Sequence, residues 1–176
     1  MTERNSASGA AERFMPCVLT RLTDQHPEEK TERIRRSLSL DELKESILAN
    51  IRLILNSRFR PEAWDLGDDP LVESSVLGFG LTDCCGVSKS REALETLRDR
   101  IRNLIVWFEP RLDPASVEVS VVDAGHRADG AALGRNGWAL EISARINVEP
   151  LTGELLCISE IDLESGAATV ESESIR

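Results

Sequence analysis

Glu109-Pro110-Arg111 is the triplet whose residue types most invite a chemical reading. A carboxylate at a helix C-terminus faces the negative end of the helix dipole, so Glu109 is mildly unfavourable there unless something offsets it. Pro110 lacks an amide proton and disfavours helical torsions in the residue before it, so a helix arriving from the N-terminal side ends near it. An extended path through Pro110 sends the two charged side chains apart, which suits one internal tie and one external contact, or two external ones. A helix terminator with two solvated charges satisfies the same local physics. On the docking reading, Glu109, Pro110 and Arg111 are partner-binding residues within the segment Phe108 to Leu112.

Other chemistry is thin. Catalysis needs a nucleophile with a base, a metal cluster, a phosphate cradle or a pair of tuned carboxylates. The two histidines, His26 and His126, stand in a polar lead-in and a Gly-rich stretch, so a histidine-based site requires both to converge. Solvated loop histidines are the simpler account. Gly78-Phe79-Gly80 has the glycines of a phosphate loop, but no Lys-Ser/Thr pair follows and no strand precedes it, so turn glycines explain it. The four cysteines, Cys17, Cys84, Cys85 and Cys157, form no CxxC, and the adjacent pair Cys84-Cys85 cannot easily bridge to itself. With no basic neighbour to lower a thiol pKa, that pair is expected to be structural, and reduced thiols are expected. No catalytic, metal or cofactor-binding residue is nominated; the chain reads as an assembly part and not as an enzyme.

At 176 residues with 41% hydrophobic and 30% charged composition, the chain has the balance of a globular protein. A domain of this length buries roughly 70% of the surface its unfolded chain exposes, so a core forms without staples. Acidic residues outnumber basic ones by 31 to 21, a net charge of −10, which repels phosphate backbones; nucleic acid is not an expected partner. The cluster Arg33, Arg35 and Arg36 reads as a solvated run. No stretch approaches the roughly 18 apolar residues of a bilayer span, and the polar start lacks the apolar centre of a signal peptide. A cytoplasmic protein without membrane insertion is expected.

The elements follow from period. Residues 1–38 show no sustained pattern and read as a mostly flexible N-terminal arm with one short apolar anchor. Ser39 and Glu42 match a capping box, and Leu43, Ile47, Ile51, Ile54 and Leu55 line one face of a helix running to about Ser57. Arg60 to Val87 is rich in turn residues, with a short helical piece over Leu71 to Leu77, and its apolar residues suggest that the stretch packs rather than dangles. Leu94, Leu97, Ile101, Leu104, Ile105 and Phe108 define a second helix. The period then changes to two. Val117, Val119 and Val121 give one strand, Trp138 to Val148 a second beyond a loop from Asp123 to Gly137, and Leu155, Cys157, Ile161 and Leu163 a third, reached through a turn at Pro150 to Gly153. Glu164 to Arg176 reads as a weak last strand or a frayed end. The fold class is α+β: two main amphipathic helices packed on one face of a small antiparallel β-sheet. The expected organisation is an arm over 1–38, a domain over 39–163 and a tail over 164–176.

Four stretches, in order and spacing, resemble the baseplate wedge subunit of type VI secretion systems, the TssE family, itself similar to a "lysozyme-like" wedge protein of contractile phage tails. They are Cys17-Val18-Leu19-Thr20-Arg21-Leu22-Thr23-Asp24; Ser39 to Leu43 leading to Leu53-Ile54-Leu55-Asn56-Ser57-Arg58; Ser75-Val76-Leu77-Gly78-Phe79-Gly80-Leu81-Thr82-Asp83; and Phe108-Glu109-Pro110-Arg111-Leu112. Gly78, Phe79 and Cys84-Cys85 depart from the family's usual residues. The resemblance implies a cytoplasmic baseplate subunit that joins TssF and TssG, meets TssK and the TssB-TssC sheath, and uses Glu109, Pro110 and Arg111 to hold wedge components together. It further implies strand addition from the sheath onto the sheet. The same fold serves a regulatory adaptor, and the lysozyme label raises a peptidoglycan-cleaving enzyme; the Glu-Pro-Arg match favours the baseplate.

Overall fold

The computed structural model describes residues 18, 22–23, 27–28, 30, 39–60, 70–85, 90–122, 137–148 and 151–172. The basic cluster, His26, His126, Cys17, most of the predicted arm, residues 123–136 of the predicted loop and the last four residues lie outside the described residues. The chain divides into two compact units, Met1–Glu45 and Ser46–Arg176, with the boundary inside the first long helix, α1 (Leu40–Asn56).

The first unit carries the start of α1. The Ser39 amide donates to Glu42 Oε2 at 2.9 Å and the Glu42 amide to Ser39 Oγ at 3.2 Å. This is the reciprocal box that the sequence predicts, two orphan donors of a helix start each satisfied by the other residue's side chain.

In the second unit α1 buries Ile47, Leu48, Ile51, Ile54 and Leu55, each at most 1% exposed. The second helix, α2 (Arg91–Phe108), is capped by Ser90 Oγ, which accepts from the Ala93 amide at 3.1 Å. It buries Leu97, Ile101, Leu104 and Ile105. α2 stops where Pro110 requires, with Glu109 as its C-cap at φ −122° and ψ 77°.

Between the helices, Pro70–Glu73 forms one α-helical turn and Val76–Gly78 one 3-10 turn. The stretch packs, with Leu81 and Cys84 buried, whereas at its two turns Leu71, Val76 and Leu77 are 77%, 85% and 52% exposed. At those turns the backbone does the packing. Arg100 Nη2 donates to the carbonyls of Gly78 at 2.9 Å and Gly80 at 3.4 Å. Gly80, at φ 107°, lies against the backbone of Ser57, where an added Cβ would sit 2.7 Å from the carbonyl. Only glycine combines that torsion with that approach.

Four strands, β1 (Glu118–Val122), β2 (Gly137–Val148), β3 (Leu151–Asp162) and β4 (Ala168–Ser172), form one antiparallel sheet in the order β1-β2-β3-β4. The third strand starts earlier than its apolar phase suggests: Leu151 pairs with Val148 and Gly153 with Ile146, so part of the predicted turn is ladder. Of the two readings of the tail, a last strand holds over Ala168–Ser172. Alternation buries one face, with Trp138, Leu140, Ile142, Ala144 and Ile146 in β2 and Leu155, Cys157, Ser159 and Ile161 in β3. Both helices lie on that side. Arg52 of α1 donates from Nε to the Val170 carbonyl at 3.0 Å, and Arg102 of α2 donates from Nε to the Val117 carbonyl at 3.1 Å. The architecture is the expected α+β arrangement of two main helices and an antiparallel sheet.

Candidate functional site

Pro110 does not extend the chain; it turns it. The Leu112 amide donates to the Glu109 carbonyl at 3.2 Å, a four-residue turn with proline second, where its fixed φ is favourable. The expected divergence of Glu109 and Arg111 is therefore corrected: the turn points both side chains the same way, and they close on each other. Arg111 Nε meets Glu109 Oε1 at 2.6 Å and Arg111 Nη2 meets Glu109 Oε2 at 2.6 Å, the two-pronged guanidinium–carboxylate geometry.

The pair is tied to α1. Asn50 Nδ2 donates to Glu109 Oε2 at 2.9 Å and to the Phe108 carbonyl at 3.2 Å. Arg111 Nη1 donates to Ser46 Oγ at 2.9 Å and Nη2 to the Ser46 carbonyl at 3.3 Å. Glu109 has no exposed side-chain surface and Arg111 keeps 25%, while Pro110 is exposed. The unfavourable dipole at Glu109 is thus offset from within, by Arg111 and Asn50. Both carboxylate oxygens are occupied by donors, so Glu109 has no free lone pair directed at a substrate proton. Ser46 and Asn50 escape the sequence reading; their one signal is a four-residue spacing that puts two hydrogen-bonding side chains on one face of α1.

The same turn closes part of the sheet. The Asn147 amide donates to the Arg111 carbonyl and the Asp113 amide to the Arg145 carbonyl, both at 2.8 Å, and Leu112 bridges Ile146. Arg111 to Asp113 therefore covers the half of β2 that β1 does not reach. Backbone polarity alternates along a strand, so this pattern fixes which groups point outward on the two edges. On β1 the amides and carbonyls of Val119 and Val121 face away from β2. On β4 those of Ala168 and Val170 face away from β3, and α1 takes them: Asn56 Oδ1 accepts from the Ala168 amide at 3.1 Å and Nδ2 donates to the Ala168 carbonyl at 2.8 Å, beside the Arg52 contact. The β4 edge is capped by side chains.

Cys84, Cys85 and Cys157 are free thiols. Burial pushes the Cys84 thiol up, and a hydrogen bond with Asp83 pushes Cys85 up. A basic neighbour does exist, contrary to expectation: Arg58 favours both thiolates, but it is outweighed. Burial holds Cys157 at about 12. None has the lowered pKa of a reactive cysteine. Among the described residues no group of three or more His, Cys, Asp or Glu is placed to hold a metal ion, and no helix is long and apolar enough to cross a membrane.

No curated protein and no solved structure matches the chain. The family model of baseplate wedge protein gp25 matches residues 41–151. That span runs from the first turn of α1 to the start of β3 and includes the whole Glu109–Arg111 corner. Covering more than half of the chain, the match places this protein in the baseplate wedge protein gp25 family, a structural family of contractile-system baseplates to which TssE also belongs.

Proposed function

We propose that this chain is the TssE-type wedge subunit of a type VI secretion baseplate in the cytoplasm. The Glu109-Pro110-Arg111 corner docks on TssF and TssG, with TssK close by, and β1 receives a strand from the first TssB-TssC sheath ring. The observation that carries this reading is the difference between the two sheet edges. Side chains of α1 cap β4 at Ala168 and Val170, whereas the outward groups of Val119 and Val121 have no such cap among the described residues. An open edge is a template for strand addition, in which main-chain hydrogen bonds supply affinity and alternate side chains supply specificity. Family membership supports the baseplate setting.

The corner contributes through shape. With Glu109 sealed and Arg111 turned inward, the exposed surface is Pro110 and the flank of Arg111, and the ion pair holds that surface rigid. Role and geometry are tested together by co-purification. Val121→Pro removes an outward-pointing amide without touching the β1–β2 ladder. The variant is expected to fold, to retain TssF and TssG, and to lose the sheath. Wild-type sheath capture by Val121→Pro removes the β1 edge from the account, and a wild-type chain that captures neither wedge nor sheath proteins removes the reading itself.

A further inference from the structure

The sheet face turned away from the helices is not built as a simple solvent face. Alternation and register put Ile158 opposite Glu141, Leu156 opposite Ser143, and Ser143 opposite Glu118, with Glu154 next along β3. Leu156 and Ile158 are half-buried neighbours that form a short apolar strip. Around it stand Glu118, Glu141 and Glu154, whose side chains make no hydrogen bond or salt bridge with the described residues. Glu118 and Glu141 occupy diagonal positions on adjacent strands, where like charges repel. The cation of this face, Arg145, stands opposite Glu154 in the register and lies 3.6 Å from Asp113, so the acidic character is concentrated at Glu118 and Glu141. An apolar centre with a polar rim is the anatomy of an interface.

We infer that this face docks a basic amphipathic segment of another baseplate chain. Aliphatic side chains of that segment lie over Leu156 and Ile158, and its Lys or Arg side chains meet Glu118 and Glu141. Charge complementarity selects this occupant. A second copy brings the same carboxylates, and nucleic acid or an anionic membrane is repelled by them. The inference rests on the baseplate reading only for the identity of the chain that carries the segment.

The test uses the full chain, labelled with nitrogen-15, and two synthetic amphipathic helical peptides. Both carry a leucine stripe; one flanks it with lysines, the other with glutamates. The lysine peptide is expected to shift the amides around Glu141, Ser143, Leu156 and Ile158. Its affinity should fall about tenfold in Glu141→Lys, the loss of one interfacial charge pair, and fall again with added salt. Glu141→Gln reports on folding, because relief of the diagonal repulsion should raise the melting temperature slightly. Equal binding of both peptides, shifts centred on Leu71, Val76 and Leu77 instead, or dimerisation of the free chain through this face overturns the proposal. Co-purification of Glu141→Lys with baseplate proteins separates the two readings. Normal capture overturns the docking face and leaves the baseplate role intact, whereas failure of the wild type to capture any baseplate protein removes that role while the peptide result still decides the face.

Discussion

A buried carboxylate is tolerated where its lone pairs are taken, and Glu109 is held by Arg111 on both oxygens and by Asn50 on one. Removing one partner leaves the other charge without compensation, which costs more than the pair contributes. Arg111→Ala is therefore expected to lower stability by about 3–5 kcal/mol, read by urea unfolding. Arg111→Lys should recover little of that loss, because an ammonium cannot span both oxygens. A value within about 0.5 kcal/mol of wild type, the range of an ordinary surface change, would show that the pair does not hold the corner. Charge reversal at Glu109 unfolds the domain on this account instead of leaving a folded protein deficient only in docking. The helix dipole marks Glu109 as needing a partner but not where the partner lies. Asn50 is 59 residues from Glu109 and Ser46 is 65 from Arg111 in sequence, and no local period carries those distances.

At the scale of elements, period was enough for both helices and for the three strands it marks, since each buries one continuous face. Period says less where side chains do not decide the packing. The turns at 70–78 are set by Arg100 and by glycine backbone, so Leu71, Val76 and Leu77 stay outside. Arg100→Met should raise protease cleavage in that segment more than it lowers global stability, as seen by limited proteolysis against thermal melting; equal effects would mean that Arg100 acts through the core. Ser159 breaks the apolar phase of β3. Its hydroxyl is buried without a partner among the described residues, so Ser159→Ala should stabilise by about 1 kcal/mol, measurable as a higher melting temperature; a lower one would mean that the hydroxyl is satisfied. β4 was ambiguous in sequence because its five residues are too few for a period, and its position depends on Asn56 and Arg52.

For the whole molecule, acid stability follows from the loops that close it. Asp162 accepts from the Glu164 amide and the Ser165 hydroxyl, and Asp83 from the Cys85 amide, and these bonds hold both carboxyls below the usual 3.8. A lowered carboxyl pKa gives stability that is present above the unfolded value and lost as pH falls through the folded one. The melting temperature should therefore drop below about pH 4, and Asp162→Asn should flatten that slope. Thiol labelling should modify exposed Cys85 in the native protein while Cys157 reacts only on unfolding; early labelling of Cys157 would contradict its burial. If the internally latched corner presents Pro110 for docking, Pro110→Glu should bind a TssF–TssG complex at least tenfold more weakly. Its melting temperature should stay within a few degrees of wild type, because proline at such a turn contributes only about 0.4–1 kcal/mol. Wild-type affinity in the folded variant would contradict that docking role.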